Sequence, residues 1–396
     1  MENPAQLIRS WNLQTSFAGG KVVDDKLVPR PFTRIRTPFV QTWREEQVNS
    51  NLDWESRGFS FYLPESLRVI SSMYLQINLP ALTGAGYKSA PGLYAVDQIR
   101  FLTAGQEAYT VDVGLYLRDY IESLESEHAQ DFVDTYLGGF STSTSTARTI
   151  LIPILLPNSA YLTRKSNDRH GKGIFPCYLG QNRLEVQITM HTASNMVTDA
   201  AHVPGSISGA CSMMFHQVDM KADDVLRYSD VRGAYSVVSR RFTEITDGWT
   251  SANSGNIQNL TNNQPIGTVT ELFCLAVPFN ATDERHELLD LIDPNLFEIV
   301  SDSVVQKSLN TPAKIRIEKW TNGFTTNIWT KVAGRLCFAA HCADAEEMYS
   351  GGFSTKLSSQ INVRIRFAAH VSFRVFAVQL QRITISPMGL IQSSLE

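Results

Sequence analysis

The sequence predicts an all-β chain with short helical inserts, organised as two successive β-sandwich domains. Three observations carry this reading. Short runs of alternating apolar and polar residues recur along the chain, several of them stopped by proline. The chain has 396 residues, a length that fits two domains better than one. Both halves follow one order: an apolar strand ending in proline, an acidic helical insert, a loop, then an alternating strand. Aligned residue by residue the halves show no convincing identity, so the repeat is one of architecture.

Residues 1–45 have little periodicity. Ala5–Trp11 fits a short amphipathic helix, and Pro29, Pro31 and Pro38 then keep the chain extended. The segment reads as an N-terminal arm, mildly basic and not polybasic. Gly58–Leu63 is a short alternating run. Met73–Leu79 alternates cleanly, which sends Met73, Leu75, Ile77 and Leu79 to a core and leaves Gln76 and Asn78 outside. Pro80 ends it, and Ala95–Leu102 is a further strand.

Between residues 112 and 137 the spacing changes. Leu115, Leu117, Ile121, Leu124 and Phe132 recur at helical intervals, predicting one or two helices stopped by Gly138 and Gly139. Ser141–Thr146 and Arg164–Lys172 read as loops. Thr149–Pro157 is apolar on both faces, with prolines that disfavour a helix. Leu184–Met190 alternates, 195–210 is a loop rich in small residues, and Phe215–Met220 closes a first domain over 46–225.

A second domain follows over 226–396. Glu271–Pro278 is a buried strand. Asp283–Ile292 and Pro294–Val300 read as helix-prone, whereas Lys314–Glu318 and Ile361–Phe367 alternate like strands. In Val371–Ser386 the apolar face switches near Phe376, which predicts a bulge.

Charged residues make up 19% of the chain and the net charge is −4, so no global basic field exists to hold nucleic acid. The five cysteines (Cys177, Cys211, Cys274, Cys337, Cys342) are odd in number and read as small buried hydrophobes in a reducing compartment. In such a compartment the sequons at Asn259 and Asn280 stay unused. No signal peptide and no membrane-spanning run is expected.

Each chemical motif fails at a named residue. His286-Glu287-Leu288-Leu289-Asp290 has Asp290 where a zinc-protease helix needs a second imidazole. Gly205-Ser206-Ile207-Ser208-Gly209 has Ile207 where a nucleophile elbow needs its nucleophile, and reads as a flexible loop. His341 and Cys342, adjacent in sequence, would point to opposite faces of a strand. Gly19-Gly20-Lys21 lacks the rest of a P-loop. Arg364 and Arg366 share a strand face that reads as solvated. Glu107, Asp112, Glu185 and Glu318 are candidates for a glycosidase only in being acidic. No catalytic, cofactor-binding or metal-binding residue is expected.

Met73-Tyr74-Leu75-Gln76-Ile77-Asn78-Leu79-Pro80-Ala81-Leu82 resembles an early strand of large DNA virus capsid proteins. Leu151–Pro157, followed by Gly173–Pro176 and Leu184–Ile188, is similar to their proline-bearing segment and the strand after it. The resemblance is to the double jelly-roll major capsid proteins of the adenovirus, PRD1-like and nucleocytoplasmic large DNA virus lineage. It covers roughly residues 54–195; the second half fits by length and pattern. It implies two tandem eight-stranded jelly rolls, homotrimeric pseudo-hexagonal capsomers tiling an icosahedral virion, and an arm that meets neighbouring trimers or minor, penton or membrane-associated virion proteins. Assembly would take place in the host cytoplasm or nucleus. A single jelly-roll vertex, penton or spike protein and a carbohydrate-binding or hydrolytic β-sandwich are the competing readings.

Overall fold

Alternation in the sequence becomes two-sheet burial in the structure. The computed structural model describes residues 39–48, 52–63, 69–103, 105–124, 126–139, 145–156, 175–176, 184–220, 235–261, 265, 267–279, 292–321, 337–340, 352–355, 361–385 and 391–395. These fall into two compact units. One holds the residues up to Leu117, Phe132–Val237 and Ile383–Ser393; the other holds Arg118–Asp131, Val238–Arg382 and the residues from Ser394.

In the first unit the strands are β1 (Phe39–Gln47), β2 (Phe59–Tyr62), β3 (Val69–Leu79), β4 (Val96–Thr103), β5 (Gln106–Asp112), β6 (Arg148–Pro153), β7 (Phe175–Pro176), β8 (Leu184–Met190) and β9 (Cys211–Met220). One sheet runs β1-β9-β3-β6 with β7 beside β3, and the other β2-β8-β4-β5. Met73, Leu75, Ile77 and Leu79 are buried, Gln76 is half-buried and Asn78 exposed, as the alternation requires. Phe61 of β2 stacks on Phe215 of β9 with ring centroids 5.6 Å apart, joining the two sheets through the core. β1 takes in residues 39–45, assigned to the arm by sequence, and β9 starts at Cys211, four residues before the strand expected at Phe215.

Two helices follow β5: α1 (Val113–Ser123) and α2 (Ser126–Tyr136). The Asp112 carboxylate accepts the Leu115 backbone N–H at 3.0 Å, an N-cap that fixes where α1 starts. After α2, Gly138 and Gly139 take φ of 88° and 84°. The Gly139 N–H returns to the Val133 carbonyl at 3.0 Å, closing the helix end. A Cβ on Gly138 would lie 2.9 Å from the Pro91 ring and 3.0 Å from Ile150, so only glycine fits there.

The remaining strands, most of them in the second unit, are β10 (Tyr235–Glu244), β11 (Thr250–Ala252), β12 (Ile257–Leu260), β13 (Thr268–Pro278), β14 (Leu296–Ser301), β15 (Val304–Leu309), β16 (Cys337–Ala340), β17 (Phe353–Ser354), β18 (Ile361–Arg366), β19 (Val371–Ile385) and β20 (Ile391–Leu395). Its sheets run β10-β19-β13-β16, with β11 and β20 beside β19 and β17 beside β13, and β12-β18-β14-β15. Setting aside the short β7 in one unit and β11, β17 and β20 in the other leaves eight strands in each. Numbered along the chain, both sets run 1-8-3-6 and 2-7-4-5. That is one jelly roll made twice, and it rules out a single jelly roll with an unrelated added domain. The seventh strands match in detail: Leu184, Val186 and Ile188 of β8 and Ile361, Val363 and Ile365 of β18 are buried, with half-buried residues between them. The core of the second unit packs Leu272, Cys274 and Ala276 of β13 and Phe373, Val375 and Ala377 of β19 with Phe297, Ile299, Val363 and Ile365 of the other sheet.

Three local expectations are corrected. Residues 296–300 form β14, not a helix: the apolar run Leu296-Phe297-Glu298-Ile299-Val300 carries no helical period and lies between β18 and β15. Lys314–Glu318 lies in helix α3 (Pro312–Thr321), not a strand. Thr311 caps it, accepting the Lys314 N–H at 3.3 Å, and Pro312 takes the first helical position. Ile315 and Ile317, two apart, consequently point to different sides, one buried and the other exposed. The bulge expected at Phe376 lies instead on the partner strand. Pairing is regular through Phe273 and Phe376 and shifts between Val269 and Glu271, opposite Val378 and Gln379. The apolar face of β19 changes because residues 375–381 are buried on both faces.

Two polar clusters fix the packing. Within the second unit, Arg240 of β10 gives one guanidinium nitrogen to Asp119 of α1 and another to Glu271 of β13, and all three side chains are buried. In the first unit Asp53 holds the 205–209 segment: its carboxylate accepts the Ser206 hydroxyl at 2.5 Å and the Ile207 N–H at 3.0 Å. The Trp54 indole N–H adds a bond to the Gly205 carbonyl at 3.0 Å. The segment read as flexible is therefore pinned, with Ile207 buried.

Removing Arg240 (Arg240→Ala) takes the cation from between the buried carboxylates of Asp119 and Glu271, with an expected loss of about 3–5 kcal/mol in urea unfolding. Replacing Asp119, Arg240 and Glu271 together by apolar residues of similar volume should cost far less. For Asp53, burial raises the carboxyl pKa, but the bonds from Ser206, Ile207 and Trp54 outweigh it and hold the pKa below its ordinary value. Its contribution is complete above the unfolded pKa of roughly 3.9 and fades as pH falls through the lower folded value. Melting of wild type and Asp53→Ala should thus differ by about 1 kcal/mol at pH 7 and converge below pH 4.

Candidate functional site

The acidic residues singled out by sequence do structural work on separate elements. Glu107 of β5 accepts the Thr110 hydroxyl at 2.6 Å and lies 3.9 Å from Arg100. Asp112 caps α1. Glu185 of β8 accepts from Ser60 of β2 and, at 3.0 Å, from the Gln187 amide. Glu318 of α3 pairs with Lys307 of β15. Glu107 and Glu185 flank Leu102 from opposite sides in the sheet, two strand spacings or roughly 9.5 Å apart. A retaining glycosidase needs its carboxyl groups about 5 Å apart.

The arginine pair on β18 is half-buried, with polar neighbours beside it. Arg366 donates to the Asn295 side chain at 3.0 Å, and Arg364 stands opposite Glu298 in the ladder. Cys211 and Cys274 are both buried. Burial pushes the Cys211 thiol up to about 12, and the nearby Asp53 charge adds to the rise, so this sulfur stays protonated and inert. Asn259 is exposed on β12. The segments with His286–Asp290, His341–Asp344, Gly19–Lys21, Cys177 and Asn280 lie outside the described residues, as does the side chain of Cys337. Among the described residues no group of three or more His, Cys, Asp or Glu is placed to hold a metal ion, and no helix is long and apolar enough to cross a membrane.

What the structure adds is a pattern at the sheet edges. Trp43 is 57% exposed on β1, Tyr62 51% on β2, Ile257 48% on β12 and Val304 60% on β15, where Val305 is exposed beside it. Each of these strands is the outermost in its sheet. Trp43 is held out on a platform: its ring lies 4.7 Å from His216 and 6.1 Å from Tyr74, and Tyr74 stacks on Tyr136 of α2 at 5.4 Å. An outermost strand with an exposed large apolar side chain is a liability for an isolated protein, because it templates association. The sequence held one signal for them that went unread: Asp302-Ser303 as a tight turn running directly into Val304-Val305. Both turn residues have positive φ, 47° and 69°, as a two-residue hairpin of this hand requires.

No protein-family model matches the chain, and no curated protein sequence does. Solved structures do match. The VP54 protein of PBCV-1, in a crystal structure fitted into a reconstruction of the virophage Sputnik, is similar over 91% of this chain and 97% of its own, with a TM-score of 0.66 and 10% identity. The Faustovirus major capsid protein is similar over 96% of this chain and 98% of its own, with a TM-score of 0.60 and 7% identity. For the mavirus major capsid protein the shares are 89% and 90%, the TM-score 0.58 and the identity 12%. At such identities the likeness is one of fold, and it extends over nearly the whole of both chains. The chain therefore has the double jelly-roll fold, shared with these viral major capsid proteins.

Proposed function

We propose that this protein is a major capsid protein whose role is self-association into a virion shell. The observation that carries the proposal is the exposed apolar side chain on the outer strands of both jelly rolls, Trp43 and Tyr62 in one and Ile257, Val304 and Val305 in the other. The shared fold supports it. In this reading three chains form a homotrimer whose six rolls make a pseudo-hexagonal tile, and tiles cover an icosahedral shell. The two rolls occupy 46–225, with β1 extending the first back to Phe39, and 226–396. The N-terminal arm reaches neighbouring trimers or minor, penton or membrane-associated virion proteins. The work done is binding, without a reaction: apolar surface left by each roll is buried against the next copy.

Native mass spectrometry of the full chain is expected to give a trimer of the 396-residue chain, and negative-stain images a pseudo-hexagonal outline. A species that stays monomeric at every concentration tested would overturn the proposal, and a pentamer would point to a vertex protein instead. Deleting residues 1–38, which stops short of β1, is expected to keep the trimer and to weaken shell assembly; loss of the trimer would contradict the arm's assignment.

A further inference from the structure

The duplicated topology allows the two rolls to be compared position by position, and they differ sharply at one place. In each roll the fifth strand leads into a helical insert: β5 into α1 and α2, β15 into α3. On the first, the start of the strand exposes Gln106 and Glu107, and α2 exposes Glu127, Asp131 and Asp134. Those three carboxylates stand at i, i+4 and i+7, on one helix face, and α2 contains no Lys or Arg. On the second, the same strand position exposes Val304 and Val305, and α3 exposes Ile317 (61%) beside Lys314. The sequence of α3 sets Lys314, Arg316 and Lys319 against Glu318. Lys307 of β15 reaches across to Glu318, so strand and helix form one continuous surface.

Each feature alone has an ordinary explanation. A solvated helix face is commonly acidic, and single exposed apolar residues are common. Together they are less ordinary: one place exposes three carboxylates, while the equivalent place exposes Lys314 together with apolar residues on an outermost strand. A chain that carries unlike surfaces at these two places is suited to head-to-tail association, in which each interface joins an acidic helix face of one copy to the other surface of the next. Repulsion also disfavours the wrong pairing, of one acidic face against another.

We propose that the acidic face of α2 in one copy meets α3 and the β14–β15 hairpin of the next copy, with Asp131 and Asp134 near Lys314 and with Val304, Val305 and Ile317 buried in the contact. This rests on the self-associating reading above and names the surfaces that would carry it.

The test is a charge swap in the full chain, read by sedimentation velocity over a dilution series. Lys314→Glu alone and Asp131→Lys/Asp134→Lys alone are each expected to weaken association roughly tenfold, and the three changes together to restore it. Wild-type association should weaken with added salt. Ile317→Ser is a second probe, expected to weaken association without the salt dependence changing. Melting curves matching wild type show that each variant is folded. A wild-type trimer that neither swap disturbs, or two weakened variants that do not rescue each other, would overturn this pairing and leave the capsid reading standing. A wild-type monomer would overturn both.

Discussion

The constraint on which the rest of the structure depends is where the last strand of each roll goes. β9 lies between β1 and β3, and β19 between β10 and β13. In both rolls the final strand fills the centre of a sheet whose first and third strands were made long before. Neither sheet has a continuous ladder until that strand arrives. These are non-local pairings, which close slowly because the intervening loop must be ordered first. The burial follows from the position. A central strand has neighbours on both sides, and β13 and residues 375–381 of β19 are buried on both faces as well, so regular alternation is lost there.

A roll closed through its middle still has outer strands, and the chemistry of this chain concentrates there. Charged groups that hold the packing are committed: Arg240 lies between buried Asp119 and Glu271, and half-buried Asp53 holds the 205–209 segment. Carboxylates that could have served catalysis are held by nearby hydroxyl, amide or backbone donors. Large apolar side chains, by contrast, stand out on β1, β2, β12 and β15. The proposed self-association would draw on that division between a packed interior and apolar side chains left on the outer strands.

Much of this was legible in the sequence, and the failures have physical causes. Met73–Leu79, Leu184–Met190 and Ile361–Phe367 could be read because one face is buried and the other is not, so the period of two is visible. The helices at 113–136 could be read because Asp112, Gly138 and Gly139 mark their ends. Residues 296–300 were misread because a strand buried on nearly every residue has no period to detect. Residues 314–318 look like a strand because five residues are too few to tell period two from 3.6; the helix signal is Thr311 and Pro312 just before them. The pinned 205–209 segment was invisible because its anchor, Asp53, lies about 150 residues away in sequence. The edge pattern was equally hidden, since which strands are outermost is a property of the sheet order and not of any local run.

The Arg240 cluster has a consequence for how the chain emerges during synthesis. Asp119 precedes Arg240 by 121 residues, and Glu271 follows by a further 31. The strands of the first roll are complete at Met220, before Arg240 is made. For that interval the ribosome presents a roll whose own ladder can close while its inserted segment, Arg118–Asp131, still lacks the guanidinium that will neutralise it. Desolvating the Asp119 carboxylate with its cation still unmade would be costly, so burial of Arg118–Asp131, a segment of the second unit, waits on sequence downstream of the first roll.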